Sequence, residues 1–229
     1  MKDSGLRTKT LFFVLMLVSL VLAVATALFP AMDLAVAGYF LQPNPPVKPT
    51  EWWWVVQVNE YTPDVFRSVV ILCALAWIIS SLVPRWRHAA LAFAFVGLSI
   101  GLGPGYATYL VKDHHLRARP FDVQQFGGTR EFSPALARVN QCEDNCAFVS
   151  GHAACGMALA GLMLLDPRRR YWWLGAGLVA GLGIGFARIG VGAHWLSDVL
   201  WAYPLTLLSA WLVWQGLSLF YKEAKHRHA

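Results

Sequence analysis

A histidine and an aspartate, His194 and Asp198, stand four residues apart in the last quarter of the sequence. On a helix this spacing places both side chains on one face. The carboxylate can then accept a hydrogen bond from one ring nitrogen, which fixes the tautomer and leaves the other nitrogen to act as a nucleophile or base. A buried structural pair is the alternative interpretation, but ionisable groups at the mouth of an apolar segment favour a functional role.

Two cations, Lys112 and Arg119, are seven residues apart, close to two helical turns, and Pro120 follows them. If this stretch is helical, both cations share one face, and an anion between them would relieve their repulsion. Proline should end or redirect that helix. A solvated basic loop or a contact with lipid headgroups is the alternative.

A third group of polar residues lies at the start of another apolar segment, in the sequence Ser150-Gly151-His152. Serine is a favoured N-cap, and a helix N-terminus presents free N–H groups and a partial positive charge to a phosphate. Arg188 precedes His194 by six residues, and the glycines between them suit a tight turn that folds the two side chains together. Together these groups predict a phosphate site.

The elements that must position these residues are predicted to be membrane-spanning helices. Hydrophobic residues make up 57% of the 229 residues and charged residues 14%, whereas about 25% is usual in a soluble domain. Runs of about 20 apolar residues are long enough to span a bilayer. The sequence predicts an all-α, integral membrane six-helix bundle in a single domain, 1–229, with helices at about 11–30, 65–83, 89–110, 148–165, 171–187 and 195–220 and outer loops at 33–64 and 111–147.

The distribution of lysine and arginine predicts the orientation of the bundle. Most of the 19 basic residues fall on one side, namely Lys2, Arg7, Lys9, Arg85, Arg87, Arg168, Arg169, Arg170, Lys222, Lys225 and Arg227. This predicts that both termini are cytoplasmic and that the active site faces the periplasm from a bacterial inner membrane. The net charge of +6 then reflects topology and an anion site, and nucleic acid is not expected as a partner. The first helix is longer than a usual signal-peptide core, so we expect it to remain uncleaved.

Two other features belong to the outer segments. Cys142 and Cys146 flank a short acidic turn, and an oxidising periplasm favours a disulfide over free thiols or a metal pair. Trp52-Trp53-Trp54 favours an aromatic belt at the membrane interface over a ligand site.

Three motifs occur in order with the helix placement of a known family, namely Lys112 to Arg119-Pro120, Ser150-Gly151-His152, and Arg188, His194 and Asp198. The chain closely resembles the type 2 phosphatidic acid phosphatases, which are integral membrane lipid phosphatases. The resemblance runs from about Ala89 to Trp201, and the stretch from Phe126 to His152 resembles the subgroup of bacterial lipid A phosphatases. Val149 and Ala187 stand at flanking positions where the family commonly has proline and serine.

The resemblance implies a mechanism for each residue. His194 would attack phosphorus and form a phosphohistidine, Asp198 would orient it, and His152 would protonate the leaving oxygen and then activate water. The phosphoryl oxygens would be held by Lys112, Arg119, Ser150, Gly151 and Arg188. No metal or cofactor is expected, because fixed cations supply the positive charge.

The expected partners are membrane lipids, and the substrate would be one of their anionic phosphates. Phosphatidic acid, phosphatidylglycerol phosphate, undecaprenyl diphosphate and lipid A all fit, and Arg117, Arg130 and Arg138 are candidates for contact with a large headgroup. Three other classes compete with the phosphatase. They are an intramembrane serine protease using Ser150 and His194, a non-catalytic anionic-lipid binder or transporter, and a metal-dependent hydrolase using His114, His115, His152 and His194.

Overall fold

The computed structural model of the protein describes residues 2–227, with side chains described from residue 4 to residue 221. Within this part the chain is all-α and forms no β-strand, which confirms the predicted fold class. Lys2, Lys222, Lys225 and Arg227, four of the residues used to predict orientation, lie outside the described side chains. The helices are α1 Lys2–Leu28, α2 Ala31–Leu41, α3 Trp53–Leu82, α4 Arg87–Ile100, α5 Thr108–His115, α6 Gly151–Gly161, α7 Arg170–Gly190 and α8 Leu196–Arg227, and a π-helical turn, Gly101–Ala107, joins α4 to α5.

Five helical segments of the described chain are long and apolar enough to cross a membrane, so the protein is a multi-pass membrane protein. They are Ser4–Leu28, Trp53–Leu82, Pro84–Asp122, Pro167–Gly190 and Leu196–Tyr221. The predicted helix at 148–165 is shorter than expected. It begins at Gly151 and ends, after a 3₁₀ turn, at Leu164. Helix α6 is mostly buried against α7 and α8, so protein contacts stabilise it rather than a full passage through lipid.

Close contact between α6 and α7 depends on glycine. A Cβ added at Gly156 would lie 2.6 Å from the main-chain carbon of Ala180, and one added at Gly177 would lie 2.5 Å from the main-chain nitrogen of Ala160. No side chain tolerates these distances, so the two backbones touch directly, as small residues allow in membrane bundles. At least part of the glycine-rich face of α7 therefore packs inside the chain's own bundle.

The segment 33–64, predicted as an outer loop, is largely helical, which corrects the prediction. It contains most of α2 and the start of α3. Asp33 is buried in an ion pair, and Glu60 and Asp64 lie exposed on α3, where they do not interrupt the helix. The tryptophan triplet begins α3, and the rings of Trp52 and Trp54 stack on Phe186 of α7 with centroids 5.8 Å and 6.1 Å away.

Candidate active site

The turn between α7 and α8 brings Arg188 and His194 together. The main-chain carbonyl of Arg188 accepts hydrogen bonds from the N–H groups of Ala193 and His194, at 3.1 Å and 3.3 Å. Gly192 makes this possible with a φ of 70°, in the left-handed region that favours glycine. A Cβ there would also lie 2.8 Å from the side chain of Leu41, so α2 packs tightly against the turn.

His194 and Asp198 form the centre of the site, and both are buried. The Nδ1 atom of His194 lies 3.5 Å from Oδ2 of Asp198, and the same oxygen accepts a hydrogen bond of 2.7 Å from the N–H of Trp195. Catalytic contacts are often long before substrate binds and shorten in the reacting complex. Because Nδ1 faces the carboxylate, Nε2 is the ring nitrogen left to act as a nucleophile or base.

The environment of His194 keeps its imidazole neutral. Burial lowers the pKa of His194 well below its usual value, and the positive charges of Lys112, Arg188 and Arg119, together with His152, lower it further. A neutral imidazole retains the lone pair that a nucleophile requires. The cations that depress the pKa are those assigned to the phosphoryl oxygens, so the three sequence motifs converge on one place.

Lys112 and Arg119 reach the site by a route that differs from the prediction. They do not share a helical face, because α5 ends and Leu116 turns the chain with a φ of 43°. Both instead meet Asn145 across the outer loop. The Lys112 ammonium donates to the side-chain oxygen of Asn145 at 3.3 Å and to the carbonyl of Cys146 at 2.8 Å, while Arg119 donates twice to the Asn145 carbonyl.

A disulfide closes the turn that carries Asn145. Cys142 and Cys146 are bonded, with Cα atoms 5.6 Å apart, and this confirms the pairing favoured by the sequence. The acceptors for both cations therefore lie in or at the end of a covalently closed loop of five residues. Such a loop restricts how far the two carbonyls can move.

Ser150 begins α6 and joins it to α8. Its hydroxyl accepts from the N–H of Ala153 at 3.4 Å as an N-cap, and its own N–H donates to the main-chain carbonyl of Asp198 at 2.9 Å. His152 is the second residue of α6, and its Nε2 lies 3.3 Å from the carbonyl of Asn59. Since a carbonyl only accepts, Nε2 is the donor in this contact.

These positions bear on two of the alternative classes. In the described residues, the Ser150 hydroxyl caps α6 and makes no hydrogen bond to His194, so a Ser–His dyad is not formed. The same part of the chain contains no group of three or more histidine, cysteine, aspartate or glutamate side chains placed to hold a metal. The four histidines of the metal-dependent alternative do not assemble.

Asn59 is a site residue that the sequence analysis missed. Its side-chain oxygen accepts a hydrogen bond of 2.6 Å from the Arg188 guanidinium, and its side-chain Nδ2 donates to the carbonyl of Val55 at 2.8 Å. Asn59 thus contacts Arg188 through its side chain and His152 through its backbone. Gln57, Glu60 and Asp64 lie in the same stretch, so no feature of the sequence singled out Asn59.

Arg117 was predicted to contact a headgroup, and the structure corrects this. It is 1% exposed and lies behind His194, where it donates 2.7 Å and 2.8 Å hydrogen bonds to Asp198 and Asp33. Nothing in the sequence of a basic outer loop distinguishes a buried arginine from an exposed one. The carboxylate of Asp33, which stands among apolar residues, needs a cation to compensate its charge, and Arg117 is that cation.

An apolar cavity of about 390 Å³ opens beside the site between α3, the π-helical turn and α6. Phe66, Val70, Ile100 and Pro104 supply apolar surface, and His152 lies on its lining. The cavity connects the polar centre with the hydrophobic flank of the bundle.

More than half of the chain, including the motifs that form the site, matches a known protein family. Residues 92–221 match the family model described as the PAP2 superfamily. The chain is also 33% identical over 170 residues to the lipid A 4′-phosphatase of Francisella tularensis subsp. novicida (strain U112), a match that covers 72% of this chain and 74% of that protein. The chain belongs to the PAP2 superfamily.

A more distant relative and a solved structure were also found. The phosphatidylglycerophosphatase B of Escherichia coli (strain K12) is 26% identical over 227 residues, covering 83% of this chain and 87% of that protein. A crystal structure of a transmembrane PAP2-type phosphatidylglycerolphosphate phosphatase from Bacillus subtilis aligns with 88% of this chain and 93% of that chain, at 19% identity and a TM-score of 0.47. As a PAP2 phosphatase, the protein is a membrane enzyme that hydrolyses lipid phosphates. Asp33 and Asn59 lie outside the residues that match the family model.

Proposed function

We propose that this PAP2 phosphatase removes the 4′-phosphate of lipid A. Its relatives include lipid A 4′-phosphatases from two genera. One is the Francisella enzyme described above, and the other is the enzyme of Rhizobium etli, which is 35% identical over 177 residues, or 72% of this chain. Phosphatidylglycerol phosphate is the second candidate, supported by the similarity to phosphatidylglycerophosphatase B along 87% of that protein.

The observation that carries the chemistry is the buried His194–Asp198 pair, whose Nδ1 and Oδ2 atoms lie 3.5 Å apart, with Lys112, Arg119 and Arg188 close enough to lower the pKa of His194. In the first step, Nε2 of His194 attacks phosphorus, the ester P–O bond breaks, and His152, protonated beside the bound phosphate, gives a proton to the leaving sugar or glycerol oxygen. In the second step, the now neutral His152 takes a proton from water, the water oxygen attacks phosphorus, and the P–N bond to His194 breaks, which releases inorganic phosphate and restores both histidines. Lys112, Arg119 and Arg188 balance the phosphoryl charge in both steps, so neither step calls on a metal ion.

The remaining phosphate contacts come from the start of α6. Ser150 and the N–H of Gly151 lie at the N-terminus of this helix, where backbone donors and the helix dipole attract an anion. The apolar cavity beside His152 would take an acyl chain while the phosphate sits against His194. We place the site at the periplasmic face of the inner membrane, where it would meet outer-leaflet lipid.

Phosphate release from four pure lipids in detergent tests this proposal. The panel is lipid A, phosphatidylglycerol phosphate, phosphatidic acid and undecaprenyl diphosphate. We expect the highest kcat/KM with lipid A, no release by His194→Ala, and unchanged release by His88→Ala, a control at an exposed histidine far along the chain. A preference for another lipid would refute the substrate assignment, and full activity in His194→Ala would refute the mechanism.

A further inference from the structure

We infer that Asp33 and Arg117 are positioning residues for phosphoryl transfer, which hold Asp198 behind His194 and set the charge that faces the phosphohistidine. The inference rests on the proposed function of the site. Arg117 stands between Lys112 and Arg119 at a position that the first motif does not define, and Asp33 lies outside the residues that match the PAP2 family.

Every donor nitrogen of Arg117 has a buried partner. Its Nε donates to the carbonyl of Ser133 at 2.9 Å, and one terminal nitrogen donates to the Ser197 hydroxyl and to Oδ1 of Asp198, both at 2.7 Å. The other terminal nitrogen donates to Oδ2 of Asp33 at 2.8 Å. A planar guanidinium with all three nitrogens engaged restricts the orientation of the Asp198 carboxylate.

Asp33 holds the same network from the opposite side. Its Oδ1 accepts from the N–H of Ser197 at 2.8 Å, and its Oδ2 accepts from the Ser197 hydroxyl at 2.6 Å. Ser197 lies in the first turn of α8, whose N–H groups have no partner within the helix. Asp33 therefore ties α2 to the turn that carries Asp198.

The charges of the network suit the reaction step. Asp33 and Asp198 are carboxylates that share one guanidinium, and all three side chains are at most 1% exposed. The ionised set carries one net negative charge beside a histidine that is neutral at rest. When His194 bonds to phosphorus its ring becomes cationic, and the negative set then stabilises it.

This arrangement predicts a separation of kinetic effects. The network is enclosed behind His194 and does not reach the lipid, so its loss should leave lipid binding intact. Removing the Asp33 charge leaves Asp198 and Arg117 as a neutral pair, which stabilises the cationic ring less. The turnover number should therefore fall while KM stays the same.

The test compares the Asp33→Asn variant with the parent enzyme, both full-length and in detergent. The concentration of correctly folded sites in each is measured by orthovanadate binding. Asparagine keeps the size of the side chain and one acceptor oxygen. We expect kcat per vanadate-binding site to fall about tenfold or more, with KM within about twofold of the parent value. Asp64→Asn is the matched control, because Asp64 pairs with Arg67 at 3.0 Å on the exposed surface, and it should change neither parameter.

A second pair of variants separates positioning from folding. Arg117→Lys keeps the positive charge and should retain more turnover per site than Arg117→Met, which has similar bulk and no charge. Unchanged kcat per site in Asp33→Asn would overturn the inference, as would a loss confined to KM or equal losses in the two Arg117 variants. So would loss of vanadate binding in both Asp33→Asn and Arg117→Lys, which would assign the pair to folding alone. If the parent enzyme released no phosphate from any lipid, the proposed function itself would fail.

Discussion

The main-chain carbonyl of Asn145 accepts two hydrogen bonds from the guanidinium of Arg119, at 3.1 Å and 2.7 Å. Lys112 donates to the side chain of the same asparagine and to the next carbonyl along. Two cations from one end of the outer loop are thus positioned by a disulfide-closed turn at its other end. The hydrogen bonds that hold the two cations come from neutral acceptors of this turn, the Asn145 side chain and carbonyl and the Cys146 carbonyl.

Opening the disulfide should therefore weaken substrate binding. In the double variant Cys142→Ser/Cys146→Ser, we expect KM to rise several-fold with a smaller change in kcat, because the acceptors for Lys112 and Arg119 become mobile. Treating the parent enzyme with a dithiol reductant should produce the same shift. Cys73→Ser, at a free cysteine in α3, is the control. An unchanged KM in the double variant would contradict this role for the turn.

Asn59 should matter although it lies outside every motif. Asn59→Ala removes the acceptor for the Arg188 guanidinium, and a hydrogen bond to a charged group is worth about 1.5–3 kcal/mol. We expect kcat/KM to fall by roughly 10- to 100-fold, which is the same free energy expressed as a rate. Asn59→Asp, which keeps an acceptor oxygen, should lose less. Gln57→Ala on the same helix is the control, and an equal loss there would remove the argument for Asn59.

Asp198→Asn should slow turnover with little effect on binding. The amide keeps the shape but loses the charge that stabilises the cationic ring of His194, so we expect kcat to fall on the order of 100-fold. Orthovanadate affinity, measured by calorimetry, should stay within about threefold, because Asp198 faces His194 and Arg117 rather than the phosphoryl oxygens. A large loss of vanadate affinity with normal kcat would contradict the orienting role.

The depressed pKa of His194 predicts how stability depends on pH. Below the ordinary histidine pKa of about 6.5, the unfolded chain binds a proton that the folded state rejects, so folding stability falls as pH falls. His194→Gln has no such proton. For each pH unit below 6.5, we expect the free energy of unfolding of the parent to fall by up to about 1.4 kcal/mol more than that of this variant, until the pKa of His194 in the folded state is reached. Thermal melts in detergent between pH 4 and 8 measure the difference, and parallel curves would contradict it.

The sequence predicted the fold class and the groups around His194 because both depend on local patterns. Apolar runs reveal helices whatever their neighbours, and the i, i+4 spacing of His194 and Asp198 is set by a single helix. The contacts of Asp33 and Asn59 could not be predicted in this way, since their partners Ser197 and Arg188 lie 164 and 129 residues further along the chain.

Two errors have local causes. The spacing of seven residues between Lys112 and Arg119 predicted one helical face for both. Leu116 between them adopts a left-handed conformation, which ends the helix and which the spacing does not indicate. The length of the apolar stretch 148–165 suggested a full span. Its first residues instead extend the loop into the buried centre, where Phe148 and Val149 pack before α6 begins.

The most direct test of the central claim is to trap the phosphorylated enzyme. Lipid substrate labelled with ³²P is mixed with the parent enzyme and quenched on the millisecond timescale, and the protein is digested and mapped by mass spectrometry, with His194→Ala as the blank. We expect an acid-labile, base-stable phosphate on the peptide that contains His194. Phosphate on any other residue, or release of inorganic phosphate with no labelled protein at any quench time, would contradict the phosphohistidine mechanism.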